Sequence, residues 1–211
     1  LTWFGFAEVA VLFGAVWWAW NYSAWAMNWL DPRSGLVRVL NGVLMLAALG
    51  MALALPHAFA EDGLLFAGCY VFAQVVRPAF MAVAMRGHVL AKNYTNLLAW
   101  SASAGVLFLA GAFLGPVPRL IVWAVALLID VAGPRFEFRF PGLGSAPMHT
   151  WPTDAEHLAE RNRLVFIIAL GESILIMGGA VVDHGELTAS MAVSLLVGFA
   201  SLFVLWWNYF A

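Results

Sequence analysis

The chain has 211 residues, of which 64% are hydrophobic and only 10% are charged. This composition excludes an ordinary soluble domain and predicts an all-α, polytopic transmembrane helix bundle. A formal net charge of −2 provides no basic surface for phosphates, which excludes nucleic acid as a partner. The single cysteine, Cys69, excludes an intrachain disulfide. The chain opens on Leu1 without the pattern of a signal peptide, and none is predicted.

Hydropathy predicts about seven spans, because a bilayer requires roughly 20 apolar residues per helix. The predicted spans are 3–30, 36–55, 64–85, 94–114, 118–131, 154–182 and 189–209. Pro78 is expected to kink the third span. The Pro- and Gly-rich connection 133–153 is predicted to be a loop, and its R-F-E-F-R-F run has the period of a strand whose rings point inward. One transmembrane domain, 1–211, is predicted.

The sixth span combines a charged start with an apolar continuation. Thr153 and Glu156 have the capping-box spacing, which predicts a helix beginning near Asp154. A rotation of about 100° per residue places the polar residues His157, Glu160, Arg161 and Glu172 on one face. Glu172 lies within the apolar run, where an ionised carboxylate costs roughly 2.5 kcal/mol or more, so it must pair, protonate or face water.

The basic residues predict an orientation. Apart from Arg77 inside a span and Arg119, every Lys and Arg flanks a connection that follows an odd-numbered span. Because cytoplasmic loops carry the excess of Lys and Arg, these connections are predicted to be cytoplasmic. This includes the loop 133–153. It places Leu1 outside and Ala211 on the cytoplasmic side.

This topology predicts an intramembrane ion pair. Glu172 and Arg77 each lie about eight residues, roughly 12 Å, from the cytoplasmic end of their spans. A guanidinium at that depth requires an acceptor, so an Arg77–Glu172 pair is predicted, with Gln74 one turn from Arg77. The pair fits either a structural clamp between two helices or a site that lines a polar cavity.

A second, shallower group is predicted at the inner membrane surface. It consists of Asp130, at the end of the fifth span, with His157, Glu160 and Arg161. His157 and Glu160 have the i, i+3 spacing of a metal-binding helix, but a single such motif without a partner is weak, so no metal is predicted. A salt-bridged helix entrance and a proton path toward Glu172 are the alternatives.

Other polar residues lie within the spans. Those expected to form interhelical hydrogen bonds are Asn21, Asn28, Asn41, Gln74 and Asn208. All histidines lie in turns or helix entrances, so buried haem or chlorophyll ligation is not expected. No cofactor is predicted.

Several motifs together resemble a known family. The run H-L-A-E-R-N-R-L-V-F-I-I-A-L-G-E-S-I-L at 157–175 resembles the signature of the bacterial low-temperature-requirement A family. The other motifs that fit this family, in the same order, are W-W-A-W-N-Y at 17–22, N-W-L-D-P at 28–32, I-D-V-A-G-P at 129–134 and F-P-G-L-G at 140–144. The resemblance covers nearly the whole chain and implies a bacterial cytoplasmic membrane protein.

The resemblance also implies features beyond this sequence. The usual form of the family has an earlier acidic span and further spans after the position of Ala211. An internal repeat is suggested as well, because W-W-A-W-N-Y at 17–22 is similar to L-W-W-N-Y-F at 205–210.

Three functions fit these observations. A secondary transporter or ion-coupled permease would use Glu172 and Arg77 as its centre and requires a water-accessible cavity. A non-catalytic accessory or scaffold subunit would instead have a tightly packed interior. A membrane enzyme would act through Asp130, His157 and Glu160, but it lacks a nucleophile and a complete metal set. The transporter is favoured. Its expected partners are the lipid bilayer, other membrane subunits or a second copy of the chain.

Overall fold

The computed structural model describes residues 2–184 and 188–210. Within this part of the chain there are seven α-helices and no β-strand, which confirms the all-α prediction. All seven helices are long and apolar enough to cross a membrane. They are α1 (Trp3–Ala26), α2 (Gly35–Ala54), α3 (Gly63–Ala84), α4 (Val89–Ala112), α5 (Pro116–Ala132), α6 (Ala155–His184) and α7 (Ala189–Phe210).

Three short 3₁₀ helices complete the secondary structure. They are Leu55–His57, Gly133–Phe136 and Met148–Thr150. The first extends α2 and the second extends α5, so both helical segments are longer than hydropathy indicates. Pro78 lies inside α3, and the kink there stays a prediction. Part of the predicted turn 183–188 lies outside the described residues. Leu1 and Ala211, whose sides of the membrane were predicted, lie outside them as well.

Side-chain caps explain where several helices begin. The Thr2 hydroxyl accepts a hydrogen bond from the Gly5 N–H at 3.1 Å. His88 Nδ1 accepts one from Leu90, and α4 therefore begins at Val89, before the predicted residue 94. The predicted cap of α6 by Thr153 is wrong. Asp154 directly precedes this helix, and its Oδ1 accepts the N–H groups of the second and third helical residues at 3.0 and 3.1 Å.

The chain divides into two compact units. Unit 1 is Leu1–Thr153 and unit 2 is Asp154–Ala211. In unit 1, α3 packs against α1, α2 and α4, and α5 packs against α1 and α4. In unit 2, α6 packs against α7, where the rings of Phe166 and Tyr209 lie 4.4 Å apart. The single domain predicted from the sequence stays a prediction.

Small residues and large rings share the core of unit 1. Its largest fully buried side chains include Phe66, Tyr70, Phe108 and Trp123. Gly111 lets α5 approach α4, because a Cβ at this position would lie 2.7 Å from Trp123 Cδ1. Close contact of this kind holds α4 against α5, and these helices carry Ser101 and Asp130.

The loop 133–153 folds onto the ends of α1 and α4. Trp151 is buried and stacks on Trp25 with ring centroids 4.7 Å apart, and Trp29 Nε1 donates to the Pro152 carbonyl at 2.8 Å. Asn96 Nδ2 donates to the Gly144 carbonyl at 2.9 Å. Trp25, near the end of α1, and Trp29, just beyond it, therefore form a packing surface for this loop.

The connection 133–153 is a loop, as predicted, but its R-F-E-F-R-F run does not have the expected strand-like alternation. Residues Gly133–Phe136 form a 3₁₀ turn, and Glu137 and Phe138 follow with positive φ angles of 52° and 47°. The local backbone therefore reverses instead of extending. As a result Phe138 is buried whereas Phe136 is 62% exposed, so the rings do not share one face.

Candidate functional site

Asp130 is the centre of a buried polar network in unit 1. Its side chain is only 1% exposed. Ser101 Oγ donates to Asp130 Oδ1 at 2.8 Å, and Tyr70 Oη donates to Oδ2 at 3.1 Å. Gln74 Nε2 also donates to Oδ2, at 2.7 Å. Three donors thus converge on one carboxylate, which is the arrangement that an ionised, acceptor-only carboxylate requires.

Gln74 connects this carboxylate to the buried cation. Its amide nitrogen donates to Asp130, and its amide oxygen accepts a hydrogen bond from Arg77 Nη2. Gln74 and Arg77 are each 1% exposed. The Gln74 amide therefore links the Asp130 carboxylate, through its nitrogen, to the Arg77 guanidinium, through its oxygen.

Arg77 is also bound to α1. Its Nη1 donates to the Ala19 carbonyl at 3.0 Å and to Ser23 Oγ at 2.8 Å. The guanidinium carbon lies 5.4 Å from the centroid of the Tyr22 ring, within cation–π distance. Tyr22 Oη in turn donates to the Asp130 backbone carbonyl at 3.2 Å. α1 therefore contacts both ends of the network.

Helical periodicity explains why these groups meet. Tyr70, Gln74 and Arg77 are spaced by four and three residues, so they share one face of α3. That face meets α1, α4 and α5, which supply Ser23, Ser101 and Asp130. Four helices thus contribute to one site, and none of them could form it alone.

The network reduces the cost of burying two charges. A charged side chain at the centre of a membrane helix costs roughly 2.5–3.5 kcal/mol, and removing one partner of a buried pair costs roughly 3–5 kcal/mol. The opposite signs of Arg77 and Asp130, together with the hydrogen bonds to each, offset this cost. Two charges maintained in this way are more than a bundle requires for packing alone, which makes them a candidate functional centre.

A cavity of about 510 Å³ lies beside this network. It runs between α1 and α2, and Ala73 of α3 also lines it. We call it the α1–α2 groove, and its lining residues are Val16, Ala19, Trp20, Ser23, Asn41, Leu44, Met45, Ala48, Met51, Ala52, Leu55 and Ala73. Ala19 and Ser23 both line the groove and accept hydrogen bonds from Arg77, so the network reaches the groove wall.

The structure brings together three of the residues that the sequence predicts, namely Asp130, Gln74 and Arg77. Asp130 is buried, because Tyr70, Gln74 and Ser101 contact its carboxylate and the helical segment continues past it through the 3₁₀ turn to Phe136. Its predicted level at the inner membrane surface stays a prediction. The expected interhelical hydrogen bond of Gln74 is present.

Other predicted residues lie on α6 in unit 2. Arg161 Nε donates to His157 Nε2 at 2.8 Å, which links two of them along the helix. Glu160 and Glu172 are on the same helix. The predicted Arg77–Glu172 pair, and the grouping of Asp130 with α6, would each join the two units and stay predictions. Among the described residues, no group of three or more His, Cys, Asp or Glu side chains could hold a metal.

Two of the residues expected to bond between helices instead donate to a carbonyl three to four residues earlier in the chain. Asn28 Nδ2 donates to the Ala24 carbonyl at 3.4 Å, and Asn208 Nδ2 donates to the Val204 carbonyl at 2.8 Å. Side chains that bond back to the preceding turn satisfy themselves without a neighbouring helix.

Sequence reasoning missed Ser23, Tyr70 and Ser101. The four-residue spacing from Tyr70 to Gln74 is a signal that could have included Tyr70. Ser101 has no comparable signal, because serines are common in transmembrane helices and only the fold places this one against Asp130.

Comparison with known proteins gives one family. The profile of the family described as bacterial low temperature requirement A protein (LtrA) matches residues 1–211. The chain is similar to the uncharacterized protein RA0937 of Rhizobium meliloti (strain 1021), with 38% identity over 209 residues. The match covers 98% of this chain and 51% of that protein, so the chain spans about half the length of that relative. No solved structure matches.

Proposed function

The chain belongs to the bacterial low temperature requirement A family, and from this premise we propose that it is an integral membrane protein that acts as a secondary transporter or ion-coupled permease. The Asp130–Gln74–Arg77 network is its coupling centre, and the α1–α2 groove holds the solute. The observation that carries this proposal is the shared role of Ser23, which lines the groove and accepts a hydrogen bond from Arg77. A solute that competes for Ser23 changes the contacts of a buried charge.

Proton binding at Asp130 provides the coupling step. Tyr70 and Gln74 both donate to Oδ2, and a proton on this oxygen turns it into a hydroxyl donor that cannot keep both of them. In this arrangement Gln74 releases or rotates its amide, and the change reaches Arg77 through their shared hydrogen bond. The network therefore has two arrangements, and both the proton and the solute select between them.

Glu172 belongs to this proposal as a second intramembrane acid. It lies within α6, and its pairing with Arg77 in part of the transport cycle gives the guanidinium an alternative partner to Gln74. Glu160, His157 and Arg161, at the start of the same helix, form the entrance for protons.

The proposed location is the bacterial cytoplasmic membrane, with Leu1 outside and Ala211 in the cytoplasm. The positive-inside rule supports this orientation, since Arg119 is the one cation beside an outer connection. Its guanidinium is bound by backbone carbonyls and is 7% exposed, so it contributes little free positive charge to that side. Other membrane subunits or a second copy of the chain remain proposed partners.

The accessory-subunit alternative gives no role to a groove whose wall contacts a buried charge network, and the shared Ser23 therefore favours transport over it. The enzyme alternative requires Asp130 to be accessible to a substrate, whereas this residue is only 1% exposed. The chain spans about half the length of the relative that it matches, so transport by the whole protein is a proposal.

Flux measurements test this proposal. Full-length protein is reconstituted in liposomes, and currents are recorded by solid-supported membrane electrophysiology with a panel of uncharged, anionic and cationic amphiphiles and of small polar solutes. A solute-dependent current that needs a proton gradient is expected. Asp130→Asn and Arg77→Lys should abolish it, because the first removes the titrating group and the second removes the guanidinium fork.

The matched control is Asp31→Asn, which makes the same change at an exposed turn and should leave the current intact. Glu172→Gln is measured separately, and a normal current would remove Glu172 from the mechanism. A wild-type current no larger than that of protein-free liposomes across the panel would reject transport.

A further inference from the structure

The α1–α2 groove is long and has polar groups at one end only. α1 ends at Ala26 and α2 begins at Gly35, so Ser23 and Asn41 lie toward the same end of the groove. From there the lining continues along α2 to Leu55, about 21 Å away at 1.5 Å per residue. Past this end the wall is alanine, leucine, methionine and valine, together with Trp20, whose ring is largely apolar.

Asn41 is the polar group without a role in the fold. Its side chain is half-buried, and no hydrogen bond joins it to any of the residues that the structure describes. An amide in apolar surroundings without a partner costs roughly 1–3 kcal/mol. Asn41 offers both a donor and an acceptor to a molecule that lies in the groove.

The charges beside the groove also select its ligand. Among the residues that the structure describes, no Asp, Glu, Lys, Arg or His lines the groove. Arg77 lies behind Ser23, and its charge is matched by Asp130 through Gln74. A charged headgroup would therefore find no counter-ion at the polar end, whereas an uncharged hydrogen-bonding headgroup would find Asn41.

We propose that the α1–α2 groove binds a single-chain amphiphile with an uncharged, hydrogen-bonding headgroup, such as a long-chain alcohol. The headgroup lies at Asn41 and Ser23, and the chain extends toward Leu55. This assignment rests on the proposed function in so far as it names the class of the transported solute. A groove open to the apolar phase along two helices lets such a molecule enter from the bilayer without first crossing water.

Photolabelling tests the assignment. Full-length protein in lipid nanodiscs is irradiated with hexadecanol that carries a diazirine in its chain, and labelled peptides are identified by mass spectrometry. Labels are expected on α1 and α2 at residues of the groove. Excess unlabelled hexadecanol should compete. Palmitate and hexadecyltrimethylammonium, which carry opposite charges on the same chain length, should compete about tenfold less well.

Variants provide the matched comparison. Ala48→Trp fills the groove and should abolish labelling, whereas Leu49→Trp, at the adjacent residue outside the lining, should not. Ala52→Phe is a second, smaller obstruction, used if Ala48→Trp fails to fold. Asn41→Leu should weaken labelling about tenfold, which is the loss expected for one unpaired hydrogen bond.

The results separate this inference from the transport proposal. Labelling in the groove with no current supports the amphiphile site and rejects transport. Currents with labels outside the groove would overturn the site. So would equal labelling of Ala48→Trp and Leu49→Trp, or equal competition by the charged amphiphiles. An absence of groove labelling in the wild-type protein would also overturn the proposed amphiphile site, even if another part of the protein covers α1 and α2.

Discussion

Unit 1 contains two buried arginines that are held in different ways. Arg77, near the middle of α3, donates to the side chains of Ser23 and Gln74 and to one carbonyl. Arg119, in the first turn of α5, donates only to backbone carbonyls. Its acceptors are those of Ala58, Ala60, Ala112 and Leu114, at 2.8 to 3.0 Å.

The difference in partners implies a difference in role. Carbonyls at helix ends cannot move without unfolding a turn, so Arg119 fastens the α2–α3 connection to the end of α4. Side chains can rotate, so the contacts of Arg77 can change while the helices stay folded. Both arginines are buried, so we expect the kind of acceptor to distinguish a functional arginine from a structural one.

The largest effect is expected at the acid that compensates Arg77. Asp130→Ala leaves the donors of Ser101, Tyr70 and Gln74 without their acceptor and leaves a buried cation unmatched. We expect a loss of about 3–5 kcal/mol in the free energy of unfolding. Titration with SDS in mixed micelles, followed by tryptophan fluorescence, measures it. The exposed control Glu61→Ala should differ little from wild type, and a loss below about 1 kcal/mol for Asp130→Ala would contradict the network.

A smaller effect on stability is expected at the other arginine. Arg119→Met keeps much of the side-chain volume but removes four hydrogen bonds, and we expect a loss of about 2–3 kcal/mol. The same SDS titration measures it against Arg86→Met, an exposed arginine that should change little. Transport per folded molecule should stay normal. If Arg119→Met abolished the current of a folded protein, the division between a structural and a functional arginine would be wrong.

The smallest effect on stability, with a large effect on function, is expected at Ser23. Ser23→Ala removes one of the acceptors of Arg77 and should cost about 1 kcal/mol in the unfolding titration. Solute-dependent current should nevertheless fall, because the link between groove and guanidinium is lost. Ser103→Ala is the control, since Ser103 Oγ donates to the Trp100 carbonyl of its own helix at 2.6 Å. If Ser23→Ala and Ser103→Ala gave equal currents, the proposed coupling of the groove to Arg77 through Ser23 would be wrong.

The sequence predicts those site residues that are polar but lie within an apolar span. Arg77, Gln74 and Asp130 each stand out because a polar group in an apolar span is costly and rarely accidental. Their mutual contacts were not predictable from this rule. The sequence assigns Asp130 to a surface group and Arg77 to Glu172, because the distance from a span end gives a level in the membrane but no direction around the helix.

The sequence by itself determined the class of fold, the helices and the residues too polar for their surroundings. Each of these depends on local composition and on periodicity of about 3.6 residues, which neighbouring positions encode directly. Only the tertiary structure decided that α1, α3, α4 and α5 direct these residues to one point, that the loop 133–153 packs against Trp25 and Trp29, and that Arg119 binds carbonyls. Those outcomes depend on how helices rotate and pack against one another, and side chains distant in the sequence determine them jointly.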